Sequence, residues 1–146
     1  MKVYLDVCCL NRPFDDQTQD RIHLEAEAVL TILKYIEKKR WSMINSDAIL
    51  YEVNKIPDPE RKTKVQFTLF NAKDYVQINE QILRRAKQIQ QLGVKSFDAL
   101  HIACAEAAQA DIFLTTDDKL LKKVQQFVDK IKVKVNNPLN WIREVI

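Results

Sequence analysis

A chain of 146 residues with 47% apolar residues is of single-domain size, so one domain spanning residues 1–146 is expected. Its 23 Lys and Arg against 20 Asp and Glu leave a net charge of +3, which suits a nucleic-acid partner without requiring one. The single glycine, Gly93, excludes glycine-rich phosphate loops and dinucleotide fingerprints, and three cysteines without a C-x-x-C pair exclude an ordinary structural zinc site. Apolar runs are too short to cross a bilayer and an acid at position 6 interrupts any signal-peptide core, so a cytoplasmic location with no membrane association is expected. Cys8, Cys9 and Cys104 are expected to be reduced, filling core volume.

In chain order, Lys2 to Leu5 reads as an opening strand that ends at Asp6, and Asn11 to Asp20 reads as a polar turn. Ile22, Ala26, Val29, Leu30, Leu33 and Ile36 recur at helical spacing, and Lys38, Lys39 and Arg40 carry the sign that suits a helix C-terminus. Trp41 to Ile44 predicts a second strand, with Asn45, Ser46 and Asp47 offering a turn or helix cap. A helix over Ala48 to Lys55 stops before Pro57, and another runs from Pro59 to about Leu69. A short strand over Tyr75 to Ile78 and a helix over Gln81 to Gln91 follow, with Gly93 at the C-terminal cap. Ser96 is placed to cap a helix reaching Gln109, and Ile112 to Thr115 is the best candidate for a buried parallel strand. Asp117 to Phe127 predicts a helix and Lys132 to Val135 a last strand, while the tail from Pro138 supplies Leu139, Trp141, Ile142 and Val145 for packing. Strands alternating with helices predict an α/β three-layer sandwich, a short and mostly parallel central sheet flanked by helices.

In such a sheet ligands bind beyond the carboxyl ends of the strands, and Asp6 and Asp117 stand there. Asp98 opens the alanine-rich helix among Phe97, Ala99 and Leu100, and Glu52 sits among Ile49, Leu50 and Val53. Taken singly, each acid also reads as a cap, a turn residue or a half-exposed helix residue. Converging in one cleft they would repel one another, and a hard divalent cation, Mg2+ or Mn2+, is the ordinary remedy. Such an ion suits phosphodiester hydrolysis. Arg12, Arg84, Arg85, Lys95, Lys119, Lys122 and Lys123 are candidates for holding a polyanion, although the lysines after residue 118 also read as a solvated helix face. His101 and His23 read as packed or surface histidines, and Asn11, Arg12, Asp15 and Asp16 as shapers of a polar loop.

These motifs resemble the PIN-domain family, including the ribonuclease toxins of VapBC-type toxin–antitoxin pairs, over nearly the whole chain. The matching segments are VYLDVCCLNRP with Asp6, SDAILYE with Glu52, FDALHIACAEA with Asp98, and Leu114-Thr115-Thr116-Asp117 with Asp118 adjacent. The resemblance implies that Asp6, Glu52, Asp98 and Asp117 bind the metal and carry catalysis, with Asp118 able to share or replace the last role. The family often has a hydroxyl or amide residue just after the first acid, where this chain has Val7 and Cys8; Thr115, Thr116, the backbone or Asn11 is then the expected substitute. It further implies an endoribonuclease using Mg2+ or Mn2+, a homodimer, RNA as substrate and a small antitoxin as partner.

Two rival readings follow. A phosphoacceptor receiver domain needs paired acids after its first strand, which this chain lacks. A catalytically silent PIN-like module that binds protein or RNA would keep the fold and fail to bind a divalent ion.

Overall fold

Val3, Tyr4 and Leu5 are all buried, as are Ile112, Phe113 and Leu114, so neither segment alternates between core and solvent. Strands buried on both faces belong at the centre of a parallel sheet covered by helices on each side. The structure, a computed structural model, describes residues 1–146 and has that architecture. Strands β1 (Lys2–Leu5), β2 (Ser42–Ser46), β3 (Asp74–Val76), β4 (Ile112–Leu114) and β5 (Val135–Asn136) form one sheet in the order β3-β2-β1-β4-β5. Every pairing is parallel.

The eight helices are α1 (Val7–Asn11), α2 (Asp20–Glu37), α3 (Asp47–Asn54), α4 (Pro59–Leu69), α5 (Glu80–Gln91), α6 (Ser96–Ala107), α7 (Asp118–Gln126) and α8 (Pro138–Val145). They make the crossovers that parallel strands require and give the α/β three-layer sandwich its outer layers. α5 packs on α6, and α2 on α8. No helix is long and apolar enough to cross a membrane.

The chain winds outward from β1 to β2 and β3, then returns past β1 to lay down β4 and β5. The winding direction therefore reverses between β1 and β4, which is where an open parallel sheet forms its crevice. Register brings Leu5 opposite Leu114, and the Asp6 amide donates to the Leu114 carbonyl at 2.9 Å. The residues that follow these two strands thus leave the sheet side by side.

Most predicted elements are present, and the departures have local causes. The polar turn over Asn11 to Asp20 is shorter than expected, because α1 and a 3-10 turn at Arg12–Phe14 precede it. Asp6 caps α1, and Val7, Cys9 and Leu10 bury it, but five residues are too few to display a period. β2 begins at Ser42 rather than Trp41, whose ring packs on Tyr35 and Trp141. It runs on to Ser46 because β3 pairs with residues 44–46. β3 starts at Asp74 and ends at Val76, short of Ile78.

Lys95, not Ser96, occupies the cap position of α6, and no side chain caps that helix. The last strand is Val135–Asn136 rather than Lys132 to Val135. The apolar alternation read there is real, since Ile131 and Val133 are buried, but it serves packing rather than a ladder. Gly93 has φ +101, the left-handed conformation that a helix C-terminus asks of glycine. All three cysteines are free; Cys9 and Cys104 are buried and Cys8 is half-buried.

Candidate functional site

Asp6 is the first residue past β1, 6% exposed, and its carboxylate is held from several sides. Oδ1 accepts from the Val7 amide at 2.9 Å, and Oδ2 accepts from the Thr115 hydroxyl at 2.9 Å and the Cys8 thiol at 3.5 Å. Thr115, fully buried at the end of β4, also accepts from the Asp117 amide at 3.1 Å. One hydroxyl therefore ties together the two acids that the switch point places side by side. This is the polar contact missing at positions 7 and 8. Asn11 does not make it: its amide donates to the Val7 carbonyl at 3.2 Å, and its buried Oδ1 has no partner. Thr116 meets the site only through its backbone amide, 3.4 Å from the Cys8 sulfur.

Glu52 comes from α3. Ser46, at the end of β2, caps that helix through the Ile49 amide at 3.1 Å, so the strand end sets where the helix starts and Glu52 projects from its second turn. Its Oε1 lies 2.9 Å from Nε2 of His101 on α6. One donor atom each from Asp6, Glu52 and His101 fall within 4.8 Å of one another. Asp98, one turn before His101 on α6, and Asp117 stand outside this tight group. Asp117 caps α7, its Oδ1 accepting from the Lys119 and Leu120 amides at 3.0 and 3.3 Å.

The electrostatics join all four acids. Burial pushes the Asp98 carboxyl up to about 6, and the charges of Asp6, Asp117 and Glu52 add to the rise while His101 opposes it. Asp6 is raised as well, chiefly by burial, with Glu52 adding and His101, Thr115 and Cys8 opposing. Carboxyls whose ionised forms are disfavoured by burial and further by one another's charge form a site that favours a cation. The donors suit a hard divalent ion: carboxylate oxygens predominate, and the nearby Cys8 thiol already donates to Asp6.

Asp118 turns elsewhere. Both its oxygens meet Arg21 of α2 at 2.7 Å, and the pair holds its carboxyl below the usual aspartate range. Arg21 also reaches Glu25, which is 1% exposed and further held by Arg12 at 2.9 Å and Asn137 at 2.5 Å. Arg12 is thereby shared between Glu25 and Asp15, while Arg61 closes on Asp15 at 2.7 Å. Arg12 still lines an open groove with Cys8, Asn11 and Arg61 beside the acids.

The other basic candidates divide clearly. Lys95, Lys119 and Lys123 line a cleft of about 100 Å³ together with Asp98 and Asp117. Lys122 is exposed and feels Asp118 rather than the cleft. Arg84 is an exposed partner of Glu80 on α5. Arg85 grips Glu106 at 2.6 Å and the Lys130 carbonyl at 2.7 Å. Glu106 lies roughly 12 Å along α6 from Asp98, given about 1.5 Å per residue, so Arg85 is not at the acids.

Reading the sequence missed Glu25 and, for His101, the partner it meets. His101 is indeed packed, being fully buried, but its Nε2 is spent on Glu52. Its place three residues after Asp98 on a helix was the available signal. Glu25 gave none, since a lone acid in an amphipathic helix reads as solvated.

The model of the PIN domain family matches residues 3–126. Among solved structures, a chain in the crystal structure of VapBC2 from Rickettsia felis bound to a DNA fragment from their promoter is similar in fold. The likeness covers 94% of this chain and 98% of that chain, with a TM-score of 0.56 and 16% sequence identity. No curated protein matches the chain significantly.

Proposed function

The chain belongs to the PIN-domain family, and from that premise we propose that it is a divalent-metal-dependent endoribonuclease, one domain over residues 1–146, using Mg2+ or Mn2+. The observation that carries the reading is the raised carboxyl of half-buried Asp98 on α6, on which the charges of acids from three other elements act: Asp6 after β1, Glu52 on α3 and Asp117 after β4. These four would hold the cation. When bound, such an ion supplies Lewis acidity, lowering the pKa of water and neutralising charge that develops on phosphoryl oxygens.

The chain's own residues do the rest. Thr115 fixes Asp6 against Asp117, and the α7 amides hold one Asp117 oxygen. Lys95, Lys119 and Lys123 flank the Asp98–Asp117 cleft and would grip the phosphates on either side of the scissile bond. Asp117, not Asp118, is the fourth acid in this reading, because Arg21 occupies both Asp118 oxygens. A toxin role, with a small antitoxin as partner and a homodimeric state, extends the same proposal. The family resemblance supports that extension.

Incubation of labelled RNA with purified protein tests the reading. Cleavage is expected with Mn2+ and not with chelator; Asp98→Asn and Asp117→Asn abolish it, and Asp118→Asn retains it. Cleavage unaffected by chelator or by Asp98→Asn overturns the mechanism. Absence of both cleavage and Mn2+ binding favours the silent binding module.

A further inference from the structure

Tyr4, Ser46 and His101 are polar side chains with no measurable exposure, and the nuclease proposal assigns them no part. Their polar atoms form an unbroken line through the core. The Ile49 amide donates to Ser46 Oγ at 3.1 Å, Ser46 Oγ lies 2.8 Å from Tyr4 Oη, Tyr4 Oη lies 2.7 Å from His101 Nδ1, and His101 Nε2 lies 2.9 Å from Glu52 Oε1. The line begins at α3, passes through β2, β1 and α6, and returns to α3.

Its two ends have fixed polarity: a backbone N–H only donates, and a carboxylate only accepts. Each of the three groups between them can do both. With a neutral imidazole, every member donates once and accepts once in one sense alone. Ser46 donates to Tyr4, Tyr4 donates to Nδ1, and Nε2–H donates to Glu52. The opposite sense would aim an Nε2 lone pair at the Glu52 carboxylate. A doubly protonated ring would reverse the two hydroxyls and leave the Ser46 hydrogen to the Cys104 sulfur, a weak acceptor. Burial also pushes the Tyr4 hydroxyl well above the ordinary tyrosine range, so its hydrogen stays available. Tyr4 is itself fixed, stacked on Phe113 with ring centroids 5.2 Å apart.

We propose that His101 is a positioning residue: the Tyr4 hydroxyl sets it as the neutral Nε2–H tautomer, in which it holds one Glu52 oxygen, leaves the other for the cation, and is not itself a ligand. This rests on the nuclease reading above and deepens it. Proximity groups His101 with Asp6 and Glu52 as three donors. The hydrogen-bond count removes it from the set, because the Nδ1 lone pair accepts the Tyr4 hydrogen bond and Nε2 carries the ring proton. What remains is oxygen only, the preference of Mg2+ and Mn2+. Partners that orient a ligand from behind typically contribute 10–100-fold in metal affinity.

Histidine 15N NMR of the metal-free full chain at pH 8 reads the tautomer directly. His101 is expected to carry its proton on Nε2, with a resonance that moves in Glu52→Ala and a tautomer preference that is lost in Tyr4→Phe. Calorimetric Mn2+ titration should show about 10–100-fold weaker binding in Tyr4→Phe and His101→Phe. His101→Gln, which keeps a side-chain N–H for Glu52, should recover part of the loss. Pulsed EPR of the wild-type Mn2+ complex should show no coordinated imidazole nitrogen. A proton on Nδ1, a coordinated nitrogen, or wild-type Mn2+ affinity in Tyr4→Phe, a variant that removes one oxygen and keeps the ring, overturns the proposal. A wild-type protein that binds no Mn2+ sinks the nuclease reading instead, and the metal-free spectrum then decides the hold on Glu52 alone.

Discussion

Asp98 carries the clearest signature of the site in a single residue. Its carboxyl titrates at about 6, against an ordinary aspartate value of 3.8, so the folded metal-free protein binds that proton more tightly than the unfolded chain does. The stability this contributes is present below about pH 4 and is lost as pH rises to about 6. Asp6 is shifted in the same direction and adds to the trend. A bound cation favours the ionised forms, which reverses the penalty. Mn2+ should therefore raise the melting temperature more at pH 8 than at pH 5, and its binding should release protons near pH 5 to 6. Asp98→Asn should melt higher than wild type without metal at pH 8 and respond less to Mn2+. Differential scanning fluorimetry with and without Mn2+ checks this; equal Mn2+ shifts at both pH values would contradict it.

At the scale of elements, Glu25 joins parts of the chain that the sheet does not. From α2 it meets Arg12 of the 3-10 turn, Arg21 of its own helix and Asn137, which caps α8. Arg21 extends the link to the start of α7 through Asp118. Removing the buried acid leaves Arg12 with Asp15 alone, and Arg12 is 19% exposed, so water recovers part of the loss. Glu25→Gln is expected to cost about 2–3 kcal/mol, between the values for surface and fully buried pairs. Urea denaturation measures it. Because the network holds the groove beside Cys8 as well as α8, the same variant should loosen the 3-10 turn at Arg12–Phe14, seen as faster amide exchange there.

Across the whole molecule, the parallel sheet gathers its chemistry at one end, and the cations follow an uneven division. Of the basic residues after Asp98, Lys119 and Lys123 face the cleft, and Lys95 joins them from before α6. Arg85 is locked to Glu106 far along α6. A net charge of only +3 gives little general attraction for RNA, so affinity depends on where the charge sits. Substituting alanine for Lys95, Lys119 or Lys123 should each weaken single-stranded RNA binding and lower the slope of log affinity against log salt by about 0.7 for every phosphate left without its cation. Arg84→Ala should leave the slope unchanged. Fluorescence anisotropy over a salt series separates the two outcomes.

The amino-acid order by itself determined the alternation of strands and helices, the acids at strand ends and helix starts, and the caps at Ser46 and Gly93, because apolar period and capping act over a few residues. Five-residue α1 escaped such reading, being too short to show a period, and the last strand reads as Lys132 to Val135 where the ladder holds only Val135–Asn136. Only the tertiary structure decided which side chains answer one another. His101 meets Glu52 from 49 residues away, Tyr4 meets His101 across 97, and Arg21 claims Asp118 across 97. Those pairings follow from the β3-β2-β1-β4-β5 order, which carries distant segments to one crevice, and no local pattern records the partner a buried polar atom will find there.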